Sequence, residues 1–371
     1  MPDDGPSTSP AGRVTLQDIA DEAGVSRATV SLILANRSDY IRQFRPETVA
    51  RVREVAEKLG YRGNLLASSL RSLRSSFFGL VVRGAQGVDA GAWQHQAFEG
   101  AFIAGVLARA TAAGIYPVVA TQDESLRPDT TEHVNAVLDG GVFGAIFRSP
   151  KEHLLDVLRH RIERGLPMIS VFPDRPTLFE SNMVDMDNRA AGRLAGELLA
   201  RAGRKRWCVI QDYQASEAQR LREDGIREAA RLCGATISID CVPTGTGEEE
   251  IVRWFEPKLR SAPPDGVFST SSVGAVGALL ACDWAGIEVP EQTCIIGCDA
   301  SLWRVEPHPK ITSIEVSWYD TGRRATELLL HCRDHGISRF DNVLLRPTVV
   351  RGMTCPVPDD IGAPGKAATG R

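Results

Sequence analysis

The side chains best suited to chemistry lie in one short stretch near the amino terminus, Val14–Leu34, VTLQDIADEAGVSRATVSLIL. Arg27, Ala28, Ser31 and Leu32 fall on one side of a helical repeat that begins at Ser26, opposite Val30 and Ile33. An arginine at the start of such a helix can donate a fork of hydrogen bonds to guanine O6 and N7. Ala28 and Leu32 can touch thymine methyl groups, and Ser26, Thr29 and Ser31 can bind phosphate. Together these residues suit the reading of base edges in a DNA major groove.

Side chains that read bases need a rigid carrier. Thr15, placed with the DNA-facing residues, also suits the cap of a first helix whose apolar positions are Leu16, Ile19, Ala20 and Ala23. Gly24 stops that helix, Val25 fills the corner and Ser26 caps the second helix. Two short helices, a glycine turn and a small alanine at the crossing predict a helix-turn-helix rather than a helical hairpin that merely packs. A third helix is expected over 46–59, opened by Pro46 and lined by Val49, Val52, Val55, Ala56 and Leu59. Gly60 ends it and Tyr61 closes the small core.

Charge is distributed to match. The whole chain is at −4, yet residues 13–76 hold eleven basic and seven acidic residues, leaving residues 77–371 at −6. A small basic head on an acidic body is the asymmetry of a tethered DNA reader. In the loop 36–45, Arg37, Arg42 and Arg45 either add phosphate contacts or form a solvated face.

A length of 371 residues suggests two or three domains, and 43% hydrophobic with 24% charged residues is ordinary globular composition. Residues 1–13 read as a disordered tail, 14–61 as the DNA-binding domain and 62–76 as a hinge. From Phe77 the pattern changes to short apolar runs separated by amphipathic helical stretches. That alternation predicts two doubly wound parallel-sheet lobes, about 77–174 and 180–314, within a domain of 77–353 whose C-terminal segment crosses back. Residues 354–371 read as a second disordered tail. Ligands of such lobes bind at the carboxyl ends of the strands, where Arg148 follows the run Ala145–Phe147.

Several classes are excluded or disfavoured. There is no G-x-x-x-x-G-K-[ST], H-E-x-x-H or G-x-S-x-G, so catalysis is not expected, and neither is a cofactor or metal. The eight cysteines contain no C-x-x-C and read as reduced, buried thiols. No run of eighteen apolar residues marks a membrane span, and the amino terminus lacks a signal sequence. A cytoplasmic, nucleoid-associated location is therefore expected, which argues against a solute-binding transport component. An architectural DNA protein without a ligand is the remaining rival.

The run V-T-L-Q-D-I-A-x-x-A-G-V-S-x-x-T-V-S, followed by Leu59-Gly60-Tyr61-x-x-Asn64-x-x-Ala67-x-x-Leu70-Arg71, resembles the lactose-repressor/galactose-repressor (LacI/GalR) family. The resemblance extends to about Met353. It implies an all-α helix-turn-helix head on an α/β periplasmic-binding-protein-like core. It further implies a transcriptional regulator, commonly a repressor, that binds a near-palindromic operator as a homodimer under allosteric control by a sugar or sugar derivative. Asn64–Leu70 would form a hinge helix in the minor groove, with Leu70 as an apolar wedge. The effector would meet Trp93, Asp187, Arg220, Ser272 and Asp299. Each has a plainer alternative, such as core packing for Trp93, helix capping for Asp187 and a surface position for Arg220. The chain departs from the family at Leu32, Gly63 and Ser271-Ser272, where arginine, proline and Asn-Asp are usual. With Arg148 and Arg220 present, an anionic ligand is an alternative to a neutral sugar.

Overall fold

The computed structural model describes residues 14–34, 41, 43–61, 75–83, 92–122, 131–150, 152–176, 180–212, 216–242, 247–301 and 309–361. The chain divides into two compact units, Met1–Ser76 and Phe77–Arg371.

In the first unit, α1 (Leu16–Ala23), α2 (Arg27–Leu34) and α3 (Pro46–Lys58) surround one apolar centre. Ile19, Val30, Ile33 and Val52 are fully buried there, each contributing about 1.5–3 kcal/mol. Thr15 and Asp18 form a reciprocal capping box at α1. Gly24 ends α1 at φ 63°, a left-handed turn that suits glycine, and Val25 N–H closes it on the Ala20 carbonyl at 3.0 Å. Ser26 Oγ accepts from Thr29 N–H at 3.1 Å and so caps α2. Asn64, Ala67 and Leu70 lie outside the described residues.

The second unit holds two six-stranded sheets. The first runs β11 (Val343–Leu345), β5 (Met183–Met186), β4 (Met168–Val171), β3 (Ala145–Arg148), β1 (Phe77–Arg83), β2 (Tyr116–Gln122), every pair parallel. The second runs β12 (Thr348–Val350), β10 (Thr312–Glu315), β9 (Cys294–Cys298), β8 (Gly266–Ser269), β6 (Arg206–Asp212), β7 (Thr236–Val242). Only the β10–β12 pair in it is antiparallel. The helices used below are α4 (Ala92–Ala112) in the first lobe, then α7 (Asn188–Arg201), α8 (Glu217–Cys233) and α10 (Ser272–Ala285) in the second, and finally α11 (Trp318–His335). Of the rest, α5 (Glu132–Asp139) and α6 (Leu155–Glu163) lie in the first lobe and α9 (Glu248–Ser261) in the second.

Two expectations are corrected. The first lobe does not end near residue 174, because β5 joins its sheet; the C-terminal segment that crosses back to it consists of α11 and β11. Nor are residues 354–361 a loose tail. Thr354 and Cys355 are buried against β9 and β10, and Ile361 is buried in the second lobe's core. Threonine hydroxyls make this possible by satisfying backbone on both sides: Thr312 Oγ1 donates to the Cys355 carbonyl at 3.0 Å and accepts from Cys355 N–H at 3.2 Å, while Thr354 Oγ1 donates to the Ile295 carbonyl at 2.7 Å and accepts from Thr312 N–H at 2.9 Å.

Each lobe contains one helix pair in backbone contact. In the second lobe a Cβ on Gly192 of α7 would sit 1.9 Å from the Arg222 carbonyl oxygen, and one on Gly225 of α8 would sit 2.0 Å from that of Arg189. In the first lobe a Cβ on Gly105 of α4 would sit 1.9 Å from the Tyr319 carbonyl oxygen, and one on Gly322 of α11 would sit 2.2 Å from that of Phe102. Any side chain at these positions forces the helices apart. Gly192→Ala is expected to lower stability by about 1–3 kcal/mol, read as a fall in the urea midpoint. A midpoint equal to that of the parent would contradict this account of the crossing.

Candidate ligand cleft and nucleic-acid surface

The carboxyl ends of β3, β4 and β9 converge on one site. The residue after each is non-glycine yet left-handed: Ser149 (φ 45°), Phe172 (φ 49°) and Asp299 (φ 52°). Such a backbone costs about 1–2 kcal/mol per residue and marks a place where the fold gives up stability to aim side chains. Hydrogen bonds hold the turns. Ser149 N–H donates to the Val171 carbonyl at 2.7 Å and Ser149 Oγ to the Phe172 carbonyl at 2.7 Å, while Asp299 N–H reaches the Ile314 carbonyl at 3.2 Å.

Arg148 is the centre of the first lobe's contribution. Its side chain is buried, with the guanidinium carbon 4.5 Å from the Trp318 ring centroid and 5.2 Å from that of Phe172. The two rings lie 4.8 Å apart, and Phe98 adds a third ring 5.1 Å from Trp318. Glu99 of α4 places Oε2 3.5 Å from Arg148 Nε. Burial pushes the guanidinium down to about 10, with Glu99 opposing, and it remains charged at neutral pH. Burial likewise raises Glu99, and the Arg148 charge offsets part of that. Glu99 Oε1 and Arg148 Nε are both buried without a hydrogen-bond partner. An orphaned acceptor beside an orphaned donor suits a ligand hydroxyl, which accepts and donates at once.

The second lobe supplies the facing groups. Asp299 is half-buried and accepts from Trp318 Nε1 at 3.3 Å. Its pKa is raised by burial, against which the Arg222 charge is the largest opposing influence. Arg222 donates from Nε to Asn188 Oδ1 at 2.9 Å and from Nη1 to the Thr270 carbonyl at 2.7 Å. Asn188 Nδ2 in turn donates to Asp185 Oδ2 at 3.1 Å. Asp185 is buried on β5, next to the crossing between lobes, and burial pushes its carboxyl up to about 7 despite the Met186 N–H it accepts.

The residues expected from the sequence are placed as follows. Arg148 and Asp299 come together around Trp318. Ser272 opens α10, buried at the end of β8, two residues after the carbonyl that Arg222 grips. Asp187 caps α7, Oδ1 accepting from Ala190 N–H at 2.8 Å. Arg220 is exposed on α8, whereas Arg222, two residues on, turns inward to Asn188 and the Thr270 carbonyl. Two residues are roughly 200° apart around an α-helix, so both cannot face one site. Gly225, which packs on α7, offers the signal, because the residue three positions earlier shares its face. Trp93 lies in α4, and its side chain is outside the described residues. Glu99, Asp185, Asn188, Phe172 and Trp318 were not singled out from sequence, since no local motif pairs a helix glutamate with a strand-end arginine.

On the first unit, Arg27, Ala28 and Leu32 are exposed on α2, with Thr29 and Ser31 half-buried beside them. Thr15, Ser26 and Thr29 spend hydrogen bonds on capping, with Ser26 Oγ and Thr29 Oγ1 2.9 Å apart. They rigidify the two helix starts whose free N–H groups suit phosphate.

Known proteins resemble the chain in both units. Residues 15–64 match the family model described as bacterial regulatory proteins, lacI family, and residues 196–355 match the periplasmic binding protein-like domain. The HTH-type transcriptional regulator CelR of Thermobifida fusca is 28% identical over 330 residues, 86% of this chain and 91% of that protein. Catabolite control protein A of Staphylococcus epidermidis is 26% identical over 348 residues, 92% and 99% of the two chains. Among solved structures, the lac repressor dimer bound to operator and the anti-inducer ONPF has a TM-score of 0.74 at 20% identity, over 92% of this chain and 99% of that one. A CelR–cellobiose complex has a TM-score of 0.59 at 24% identity, over 92% and 100%. At such identities the structural likeness is one of fold.

Because burial holds Asp185 protonated, its penalty is absent below about pH 4, grows as pH rises and is complete above about 7. Asp185→Asn cannot ionise. Its melting temperature is expected to gain on the parent's between pH 5 and pH 8, and a constant difference across that range would refute the burial of an ionisable carboxyl.

Proposed function

The chain belongs to the lacI family of bacterial regulatory proteins, transcription regulators that bind operator DNA under the control of a small effector, and we propose how its own residues carry out that work. The helix-turn-helix reads the operator with Arg27, Ala28 and Leu32. The hinge residues Asn64, Ala67 and Leu70 meet the minor groove, and the cleft between the lobes takes the effector.

One observation carries the ligand reading: the buried Glu99 Oε1 and Arg148 Nε, which make no hydrogen bond although their side chains form an ion pair, belong to a cluster with the Trp318 and Phe172 rings. Ring faces suit the apolar side of a sugar, and orphaned polar atoms suit its hydroxyls. The charges favour a neutral sugar or sugar derivative over an anion. Arg148 is paired with Glu99, and Arg222 lies beside Asp299, so each of these two guanidiniums already has a carboxylate next to it. Asp299 and Arg222 are assigned as the second lobe's effector contacts, with Ser272 beside them.

A homodimer matches a near-palindromic operator. On the first lobe the edge strand β2 exposes Tyr116, Val118 and Val119 and α4 exposes Leu107, an apolar face suited to a second copy. Effector binding shifts the lobes, and the shift reaches the hinge through β1, which directly follows it. Linkage makes the coupling reciprocal, on the order of 1–3 kcal/mol. Action in the cytoplasm, on the nucleoid, is part of the same proposal; among the described residues no helix is long and apolar enough to cross a membrane.

The test is fluorescence anisotropy of the full-length protein on inverted-repeat duplexes drawn from its own chromosomal neighbourhood, with and without neutral sugars. A specific duplex whose affinity moves with sugar is expected. Indifference to every inverted repeat over random DNA would sink the reading. Arg27→Ala is expected to cost about 1–3 kcal/mol of operator affinity and to relax preference at one base pair. Arg222→Ala is expected to keep DNA binding while abolishing the response to sugar, measured as loss of the sugar-induced shift.

A further inference from the structure

At the end of the second lobe opposite Asp299, β9 begins at Cys294, and the C-terminal segment lays Cys355 against it. Ile295 N–H donates to the Thr354 carbonyl at 2.8 Å, which sets the two cysteines side by side. Each thiol also reaches a prolyl carbonyl at 3.7 Å, Cys294 Sγ that of Pro290 and Cys355 Sγ that of Pro356. Arg204 Nε donates to Cys294 Sγ at 3.2 Å, and the same guanidinium is anchored on the Glu291 and Pro290 carbonyls at 3.0 and 2.6 Å. We propose that Cys294 and Cys355 are an oxidation site that a hydroperoxide converts to a reversible intramolecular disulfide, with Cys294 as the attacking thiolate, Arg204 as the group that stabilises it and Cys355 as the resolving thiol.

The chemistry is that of a thiolate beside a fixed cation. Hydrogen bonding from Cys355 and then from Arg204 lowers the Cys294 pKa against the opposing effect of burial, whereas Cys355 is raised. The contrast with the other buried thiols is sharp. Cys208, Cys282, Cys298 and Cys332 are all raised, chiefly by burial, and are therefore held as inert thiols. Cys294 sulfur attacks one peroxide oxygen, the O–O bond breaks, and an alcohol (or water, from hydrogen peroxide) leaves, forming a sulfenic acid. Cys355 sulfur then attacks the sulfenyl sulfur, its proton passes to the departing hydroxyl, and water leaves as the S–S bond forms. Two thiols are oxidised by two electrons and the O–O bond is reduced by two. Among the described residues no group of three or more metal-ligating side chains occurs, so the pair is not part of a metal cage there.

Both sulfurs are buried, but only one residue deep. Met353 and Pro356 flank the site and are exposed, Arg204 is half-buried above it, and the described residues after β12, 351–361, contain no helix or strand. A small oxidant reaches it when that segment lifts, and the disulfide then ties the segment to β9.

The full-length protein, reduced and freed of reductant, is treated with a few equivalents of hydrogen peroxide and quenched with a thiol-blocking reagent under denaturing conditions. Free thiols are expected to fall from eight to six. Peptide mass spectrometry is expected to find residues 294 and 355 joined, and dithiothreitol to restore all eight. Oxidation confined to exposed Cys241 or half-buried Cys233, or intermolecular dimers without a 294–355 link, would overturn the proposal. Cys355→Ala is expected to stop at a sulfenic acid on Cys294, trapped by dimedone. Arg204→Met, which touches neither the cleft nor the DNA-reading surface, is expected to slow the loss of thiols several-fold; an unchanged rate would overturn the role given to the arginine.

Discussion

The cleft depends on backbone reaching backbone without side chains between. In each lobe one helix pair touches through glycines, Gly105 and Gly322 in the first, Gly192 and Gly225 in the second. The same helices carry the polar groups that face the ligand space: Glu99 and Trp318 on the first pair, Asn188 and Arg222 on the second. The spacing of those groups is thus set by the closest approach two helices can make, which is stiffer than any side-chain packing. Asn188 and Arg222 meet at 2.9 Å because the Gly192 and Gly225 contacts leave no slack between their helices.

On that frame the chain places charge where water is scarce. Arg148, Glu99 and Asp299 are each offset against desolvation by an opposite partner or a donated hydrogen bond. Breaking one member of such a set strands the other, which explains why the charges occur as a network spanning both lobes. The left-handed backbones at Ser149, Phe172 and Asp299 belong to the same compromise. Stability is given up at three strand ends so that an arginine, an aromatic ring and a carboxylate meet.

How much of this was legible in sequence follows from the range of the interactions. The helix-turn-helix was, because caps, the Gly24 stop and the apolar stripe act within a few residues. The parallel sheets were, because alternating runs carry their own periodicity. Arg148 and Asp299 could be read from their positions at strand ends or in a family motif. The inward turn of Arg222, unlike exposed Arg220, was not legible because helix phase had to be fixed by Gly225, whose partner lies thirty-odd residues away on α7. The Glu99–Arg148 pair joins a helix to a strand end across forty-nine positions, and nothing local announces it. The carboxyl-terminal stretch misled for a related reason. Its Gly/Pro-rich composition suggests disorder, while its order comes from Thr312 and Thr354 bonding strands far earlier in the chain.

The return of α11 to the first lobe has a consequence for the order in which the molecule is made. The second lobe's helix pair is contiguous, α7 and α8 emerging within forty-six residues of each other. The first lobe starts at Phe77, yet its glycine contact awaits Gly322 and its sheet awaits β11. During synthesis the lobe begun first is therefore completed last. Until the ribosome has passed residue 335, α4 has only the sheet to pack on, and the side of it that meets Ala325, Leu329 and Leu330 stays open.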